Sequence, residues 1–241
     1  MAGIGVPYLT TAQMREVDRL MIEEYGIDLV QMMESAGRNL AHLARLRFLH
    51  GDPVGKRVVV LAGSGGNGGG AMVCARRLSN WGARVEVLVT RSERLPPVPS
   101  HQLDILRRMR VPTGQARTLE RTEGADLVID GLIGYSLKGA PRGAAADLIR
   151  WANGQGAPVL SLDIPSGLDA TTGIAFTPCV RGTATMTLAL PKEGLRAADA
   201  GQYVGELYLA DISVPPALYA SPSLRIEVGP LFAKEDVIRL R

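Results

Sequence analysis

The sequence has few cysteines and few aromatic residues, and both shortages exclude classes of function. The two cysteines, Cys74 and Cys179, are far apart and have neither metal-binding nor redox-motif spacing, so we expect buried free thiols in a reducing compartment. Aromatic residues make up 5% of the 241 residues, too few for a platform that stacks nucleic-acid bases. A net charge of +3 without a lysine or arginine block also argues against a nucleic-acid partner.

Long apolar runs are missing as well. No window approaches the 18 consecutive apolar residues typical of a membrane-spanning helix, and the N-terminal sequence MAGIGVPYLT lacks the basic start and apolar core of a signal peptide. We therefore expect no membrane partner and a cytoplasmic location. The chain is 46% hydrophobic and 21% charged, which suits one large α/β domain with a sizeable core.

The chain is organised around residues 57–78, RVVVLAGSGGNGGGAMVCARRL. The β-branched run 58–60 predicts a strand buried on both faces, the glycines at 63, 65, 66, 68, 69 and 70 predict a loop, and a helical pattern begins at Ala71. A glycine loop before a helix N-terminus is typical of phosphate binding. A tight turn without a ligand remains the alternative, but it needs only one or two glycines. Neither the Gly-Lys-Ser/Thr ending nor a clean GxGxxG pattern is present.

Strands and helices alternate along the rest of the chain. Two helices precede the glycine stretch, capped by Thr10 or Thr11 and by Asp28. The patterns predict further strands at 84–90, 127–130, 158–162, 183–190 and 204–210, and an edge strand at 226–228. They predict helices at 103–109 and 145–153, a proline-rich connector at 91–102, and a short helix or tail at 235–241. We expect one domain over 1–241, with N-terminal helices in 1–52 and a three-layer, mostly parallel α/β core in 53–241.

Oxygen-bearing side chains stand at the ends of predicted strands. Asp130 ends one strand before a second glycine-rich loop, and Asp163 follows the next strand in DIPSG. Because the carboxyl ends of parallel strands share one edge, these segments should converge there with the glycine stretch. Asn67, Asp130 and Ser166 would offer oxygen ligands, which suit a hard cation better than zinc or copper because no histidine or cysteine accompanies them. A strand-end aspartate that merely caps a helix is the other interpretation.

Three motifs occur in order along the chain: AGSGGNGGGAMVCARRL, VIDGLIGYSLKGAPRG and LSLDIPSGLDATTG. Together with QMMESAG, LALPKEGL and GELYLADISVP, they make the sequence resemble the NAD(P)H-hydrate epimerase family, the YjeF N-terminal domain, over nearly its whole length. The resemblance implies a Rossmann-like α/β/α sandwich, usually a homodimer, that interconverts the R and S forms of hydrated NADH and NADPH (NAD(P)HX). It also implies a functional link to an ATP- or ADP-dependent NAD(P)HX dehydratase, which we expect to be a separate polypeptide.

The resemblance assigns roles to particular positions. The family's potassium ligands match Asn67, Asp130 and Ser166. Its nucleotide-contacting positions match Gly66, Asn67, Gly68, Gly69, Gly70, Gly134, Tyr135, Ser136, Leu137, Lys138, Gly139, Ala140 and Asp163. The family pattern Asn-Asn-Gly-Gly-Asp-Gly is GNGGGA at 66–71 here, so the rim of the site is expected to lose a charged acceptor at Gly70.

Epimerisation at C6 of the nicotinamide ring needs a hydroxyl to leave with a proton and water to return on the other face, so the enzyme must supply an acid and a base. Asp163, the family-matched carboxylate not assigned to the cation, is the expected proton donor and acceptor, with Lys138 as the alternative. Two other functions stay open. One is a nucleotide-binding module without turnover, and the other is an enzyme acting on a different nucleotide or phosphate ester.

Overall fold

A computed structural model describes residues 5–91, 93, 95–116 and 124–241 of the chain. Its strands are β1 (Arg57–Ala62), β2 (Arg84–Val89), β3 (Thr113–Gln115), β4 (Leu127–Gly131), β5 (Val159–Leu162), β6 (Ala184–Leu188), β7 (Glu206–Ala210) and β8 (Val237–Arg239). They form one sheet in the order β3-β2-β1-β4-β5-β6-β7-β8. Every neighbouring pair is parallel except β7 and β8, which are antiparallel.

Helices cover both faces of this sheet. They are α1 (Thr11–Glu23), α2 (Leu29–Leu43), α3 (Gly66–Asn80), α4 (Pro97–Arg108), α5 (Gly143–Gly154), α6 (Gly201–Val204) and α7 (Pro216–Tyr219). Alternate β1 side chains point to opposite faces: Val58 and Val60 join a core with α2, α3 and α4, whereas Val59 and Leu61 join a core with α5. The predicted three-layer α/β/α sandwich is therefore confirmed. Among the described residues, every helix is too short or too polar to cross a bilayer.

The N-terminal helices lie beside the carboxyl edge of the sheet. Thr10 caps α1, since its hydroxyl accepts from the Gln13 amide at 3.2 Å while the Gln13 side chain accepts from the Thr10 amide at 2.9 Å. The segment before α1 is tied to the chain beyond β6, because the amide of Glu193 donates to the carbonyl of Leu9 at 2.9 Å. Helix α1 then packs against residues that follow β6 and β7. This connection holds one face of α1 over the strand ends.

Several predicted boundaries were wrong for identifiable reasons. Strand β6 stops at Leu188 instead of 190 because Ala189 has a φ of +62°. Helix α4 begins at Pro97 inside the predicted connector, since proline is accepted in a first helical turn; residues 92 and 94 of that connector lie outside the described residues. The edge strand is β8 instead of 226–228, so the terminal segment is neither helix nor tail, and the short strand β3 was missed.

The glycine stretch also differs from the expected loop. Helix α3 begins at Gly66 instead of Ala71, so the glycines at 66, 68, 69 and 70 are helical. Gly68 stands where no side chain fits, because a Cβ there would lie 1.9 Å from the carbonyl oxygen of Gly63, and a Cβ on Gly69 would lie 2.3 Å from the sulfur of Met33 and displace that side chain. These glycines therefore allow close packing of α3 against its own loop and against α2.

Candidate functional site

The site lies at the carboxyl edge of the sheet, where β1 and β4 are neighbours at its centre. The loops after these two strands touch each other: the amide of Gly63 donates to the carbonyl of Gly131 at 3.0 Å. A Cβ at Gly63 would lie 1.8 Å from the carbonyl oxygen of Leu132. The strand order reverses its direction between β1 and β4, and crevices at such switch points are where open α/β sheets bind ligands.

Asp130 joins the loop after β4 to the loop after β5. Its side chain is completely buried. One carboxylate oxygen accepts from the Ser166 hydroxyl at 2.6 Å and the Leu132 amide at 3.2 Å. The other accepts from the Ser166 amide at 2.9 Å and the Ser161 hydroxyl at 3.0 Å. Burial raises the pKa of Asp130, and these hydrogen bonds oppose that shift by favouring the charged form.

Asn67 joins the same cluster from the first turn of α3. Its side-chain amide donates to the carbonyl of Leu162, the last residue of β5, at 2.8 Å. Gly134 lets the loop after β4 approach, since a Cβ there would lie 2.6 Å from the side-chain oxygen of Asn67. Ser166 also accepts from the amide of Ile133, at 2.9 Å. The structure thus brings Asp130 and Ser166 into direct contact and places Asn67 against the loops that carry them.

The donors in this cluster are an amide oxygen, a carboxylate and a hydroxyl. Such oxygen ligands fit a hard monovalent or divalent cation, and the single carboxylate suits a low cation charge. Across the described residues, no group of three or more histidine, cysteine, aspartate or glutamate side chains is arranged to hold a metal ion. The residues present therefore fit an alkali cation better than a transition metal.

Asp163 forms a buried ion pair that the sequence did not reveal. It follows β5 with a φ of +69° and is 2% exposed. Lys192, beyond β6, has no exposed surface, and its ammonium group donates to the Asp163 carboxylate and to the carbonyl of Leu188 at 2.8 Å. The hydroxyl of Thr187 donates to the same carboxylate oxygen at 3.3 Å. Lys192 belongs to the PKEG motif, but nothing in a single strand-end lysine predicts that it is buried.

A cleft beside α1 and α2 is lined by Asn67 of the oxygen cluster and by the Asp163–Lys192 pair. Polar side chains reach it from five places: Asp18, Asn67, Tyr135, Asp163 and Lys192. Its apolar walls include Met14, Met32, Met33, Leu188 and Ile212. A largely apolar cleft with a few convergent polar groups is the usual form of a small-molecule site.

Asp18 is a second residue that the sequence analysis missed. It lies on α1 and accepts a hydrogen bond from the hydroxyl of Tyr135, in the loop after β4. Burial raises the pKa of Asp18, while the Tyr135 hydrogen bond and the charge of Lys192 act against the shift. Burial also raises the pKa of Tyr135, and the Asp18 charge adds to that effect. Asp18 was missed because its neighbours on the helix face are apolar and predict only a packed surface.

The nucleotide-contacting positions taken from the family resemblance are divided by the structure. Gly66, Asn67, Tyr135 and Asp163 line the cleft. Lys138, the alternative acid–base group, is exposed on the loop after β4, as are Ser136 and Ala140. Their proposed contacts with a nucleotide stay predictions.

Gly70, where the family resemblance predicts a lost acceptor, is close to residues that line the cleft. The residue is buried in α3, and a Cβ on it would lie 3.0 Å from a methyl group of Leu162 and 3.7 Å from the Cβ of Ala36. Both of these neighbours line the cleft. The effect of the missing acceptor on the site stays a prediction.

Comparisons with known proteins show a family and a shared fold. Residues 29–194 match the family described as YjeF-related protein N-terminus. The chain is 43% identical over 235 residues to the NAD(P)H-hydrate epimerase of Dehalogenimonas lykanthroporepellens, covering 96% of this chain and 92% of the relative. It is 36% identical over 225 residues to the bifunctional NAD(P)H-hydrate repair enzyme Nnr of Salinibacter ruber, covering 87% of this chain but 41% of that protein. The crystal structure of the yeast protein ynu0 has the same fold, with a TM-score of 0.82 at 24% identity over 98% of this chain and 100% of the yeast chain.

Proposed function

Because the chain belongs to the family of YjeF-related protein N-termini, we propose that it is an isomerase that interconverts the R and S epimers of hydrated NADH and NADPH. The observation that carries the proposal is the buried Asp163–Lys192 pair, which faces an apolar cleft beside the N-terminus of α3. The nicotinamide nucleotide hydrate is the substrate and not a cofactor. The Dehalogenimonas lykanthroporepellens relative is named an NAD(P)H-hydrate epimerase, and the Salinibacter ruber relative is named a bifunctional NAD(P)H-hydrate repair enzyme.

The cleft offers what this reaction needs. The nitrogen of the reduced ring pushes out the C6 hydroxyl once that hydroxyl is protonated, so an acid must stand close to it. Asp163 is the group proposed to give and accept this proton, and the Lys192 ammonium, which donates to its carboxylate, holds it in place. The methionines of the walls offer an apolar surface for the ring. The first amides of α3, next to Gly66, have no acceptor within the helix and suit the pyrophosphate.

We also infer a potassium ion bound by Asn67, Asp130 and Ser166. The all-oxygen donor set supports it, as does the complete burial of the Asp130 carboxylate. A cation there would supply a fixed positive charge that balances Asp130. It would also keep the loops after β4 and β5 in the arrangement that shapes the cleft.

We further infer a homodimer and a separate dehydratase partner. Three large apolar side chains, Ile22, Tyr25 and Leu29, are 45%, 43% and 39% exposed around the turn between α1 and α2, and a second copy would cover them. The bifunctional relative supports the functional link to a dehydratase. Sedimentation equilibrium that gives a monomer at micromolar concentration would contradict the dimer.

The decisive experiment follows the conversion of a purified R hydrate to the S form by chiral chromatography, with a buffer blank for spontaneous conversion. We expect the protein to speed equilibration well above the blank and Asp163→Asn to lower that rate by about 100- to 10,000-fold, the usual contribution of an acid–base group. Asp147→Asn is the matched control, because Asp147 is exposed on α5 and pairs there with Arg150. Circular dichroism would show that each variant is folded. A wild-type rate equal to the blank, with bound NADP+ detected by calorimetry, would favour a non-catalytic binding module instead.

A further inference from the structure

A carboxylate on α1, Asp18, reaches the cleft from a wall other than the one that carries Asp163. Asp163 stands on the sheet, directly after β5, whereas Asp18 belongs to a helix that packs over the strand ends. Its neighbours on that helix, Met14, Val17 and Met21, are buried, and Met14 lines the cleft with it. The helix therefore presents one carboxylate to an otherwise apolar surface.

Asp18 lacks the partners that satisfy the other carboxylates of the site. Asp130 accepts four hydrogen bonds, and Asp163 has the Lys192 ammonium. In the described part of the chain, the hydroxyl of Tyr135 is the one hydrogen-bond donor to Asp18, and no lysine, arginine or histidine forms an ion pair with it. An asparagine would accept the same hydrogen bond without the cost of burying a charge. Packing alone gives no reason for a carboxylate at this position.

The charged and titratable groups around Asp18 favour a carboxyl that exchanges its proton. Asp163 repels its negative charge, while Lys192 and the hydrogen bond from Tyr135 favour it. Tyr219 of α7 also feels Asp18, since the nearby carboxylate helps to raise the pKa of that tyrosine. Burial is the largest influence and raises the pKa of Asp18. Perturbed carboxyl groups in a cleft are typical of acid–base residues.

The proposed reaction needs proton transfer on both faces of the ring. On one face the C6–O bond breaks, the nitrogen lone pair forms a C=N bond, and the departing hydroxyl takes a proton and leaves as water. On the other face a water oxygen bonds to C6, the C=N electrons return to nitrogen, and the water loses a proton to a base. One carboxyl group fixed on one wall of the cleft can transfer protons on one face of the ring. On the basis of the proposed function, we propose that Asp18 is the second catalytic residue, which transfers the proton on the ring face opposite to the one served by Asp163.

Tyr135 is then a positioning residue for Asp18. Its hydroxyl holds the carboxylate from the loop after β4, the same loop that Asp130 and Ser166 anchor. Tyr135→Phe keeps the ring and removes that hydrogen bond. We expect this variant to retain more epimerisation activity than Asp18→Asn.

The test separates epimerisation from oxygen exchange at C6, both measured in oxygen-18 water with a buffer blank. The wild-type protein should interconvert the epimers and incorporate the label into both. In Asp18→Asn, we expect epimerisation to fall by about 100-fold or more from either epimer, whereas label still enters the one epimer whose hydroxyl faces Asp163 when that epimer is the starting material, because Asp163 can expel and return water on that face. Glu16→Gln is the matched control, since Glu16 lies on the same helix but pairs with Arg19 away from the cleft.

Each outcome decides the matter. An Asp18→Asn variant that epimerises at the wild-type rate would overturn the proposal. So would a folded variant in which exchange and epimerisation fall by the same factor, because a merely structural role affects both faces equally. Wild-type protein without activity above the blank would instead refute the proposed function, and this inference with it. Thermal denaturation followed by circular dichroism identifies variants that fail to fold.

Discussion

The Asp163–Lys192 pair makes a prediction about stability that does not depend on any substrate. Lys192 has no exposed surface and Asp163 has 2%, so removal of either charge leaves the other buried without a counter-ion. Breaking such a pair costs about 3–5 kcal/mol, whereas removing both charges together is often nearly neutral. We therefore expect Lys192→Met to lower the free energy of unfolding by about 3–5 kcal/mol.

A double-mutant cycle isolates this effect. Asparagine suits position 163 because its φ of +69° is left-handed, a region that asparagine and aspartate enter more readily than other residues with side chains. Asp163→Asn thus removes the charge without adding backbone strain. If each single variant loses about 3–5 kcal/mol, the double variant should lose clearly less than their sum, with a coupling energy of about 2 kcal/mol or more.

The assay is urea unfolding followed by circular dichroism, with a surface ion pair as control. Asp104 and Arg108 of α4 are 52% and 79% exposed, so the same cycle there should give a coupling energy below about 1 kcal/mol. Additive single variants at 163 and 192, or a Lys192→Met cost as small as at the surface pair, would refute the reasoning that this pair is buried and mutually dependent.

Four further predictions use other parts of the structure. Gly68→Ala should cost about 1–3 kcal/mol in urea unfolding, because a Cβ would lie 1.9 Å from the backbone carbonyl oxygen of Gly63, whereas Gly154→Ala at the open end of α5 should cost nothing. Potassium should raise the melting temperature of the wild-type protein above its value in choline, and Ser166→Ala should lose that difference; an equal shift in both proteins would argue against the site. Burial raises the pKa of Cys179 to about 12, so this thiol should react with a disulfide reagent at pH 8 only after urea unfolding. The pKa of Asp18 is higher in the folded state than its ordinary value. Ionisation of Asp18 therefore destabilises the folded protein as the pH rises from the ordinary pKa through the folded-state pKa. Asp18→Asn should therefore be more stable than wild type at pH 8, and that advantage should vanish as pH falls below 3.8.

The sequence predicted the central strands and their common edge well, because each reads as a short apolar run that ends in glycine or aspartate. Asp130 and Ser166 were correctly expected to meet, since two parallel strand ends that neighbour each other leave few other arrangements. The errors fall where a local pattern does not decide the backbone. Ala189 has a positive φ, which an alanine in the sequence does not predict. Strand β8 pairs with β7 although its sequence has no clear alternation of apolar and polar residues.

Charges inside the cleft could not be predicted in the same way. A lysine after a strand and an aspartate on an amphipathic helix are surface residues by default, and only tertiary packing buries Lys192 and turns Asp18 towards the strand ends. A backbone hydrogen bond at Leu9 connects the start of α1 to the segment that carries Lys192. Both charges therefore depend on a contact between parts of the chain that are about 180 residues apart, which no local pattern encodes.

The glycines of the stretch 57–78 have two structural uses, which explains why they predicted a loop although four of them are helical. Gly63 lets the loop after β1 meet the loop after β4, and this contact helps to form the crevice. Gly68, Gly69 and Gly70 instead let α3 approach its own loop, α2 and Leu162. Both uses demand a residue without a side chain, so the number of glycines overstates how much of the stretch faces a ligand. The free amides at the start of α3 lie next to Gly66, and close packing of the glycines that follow holds this helix end against the strand edge.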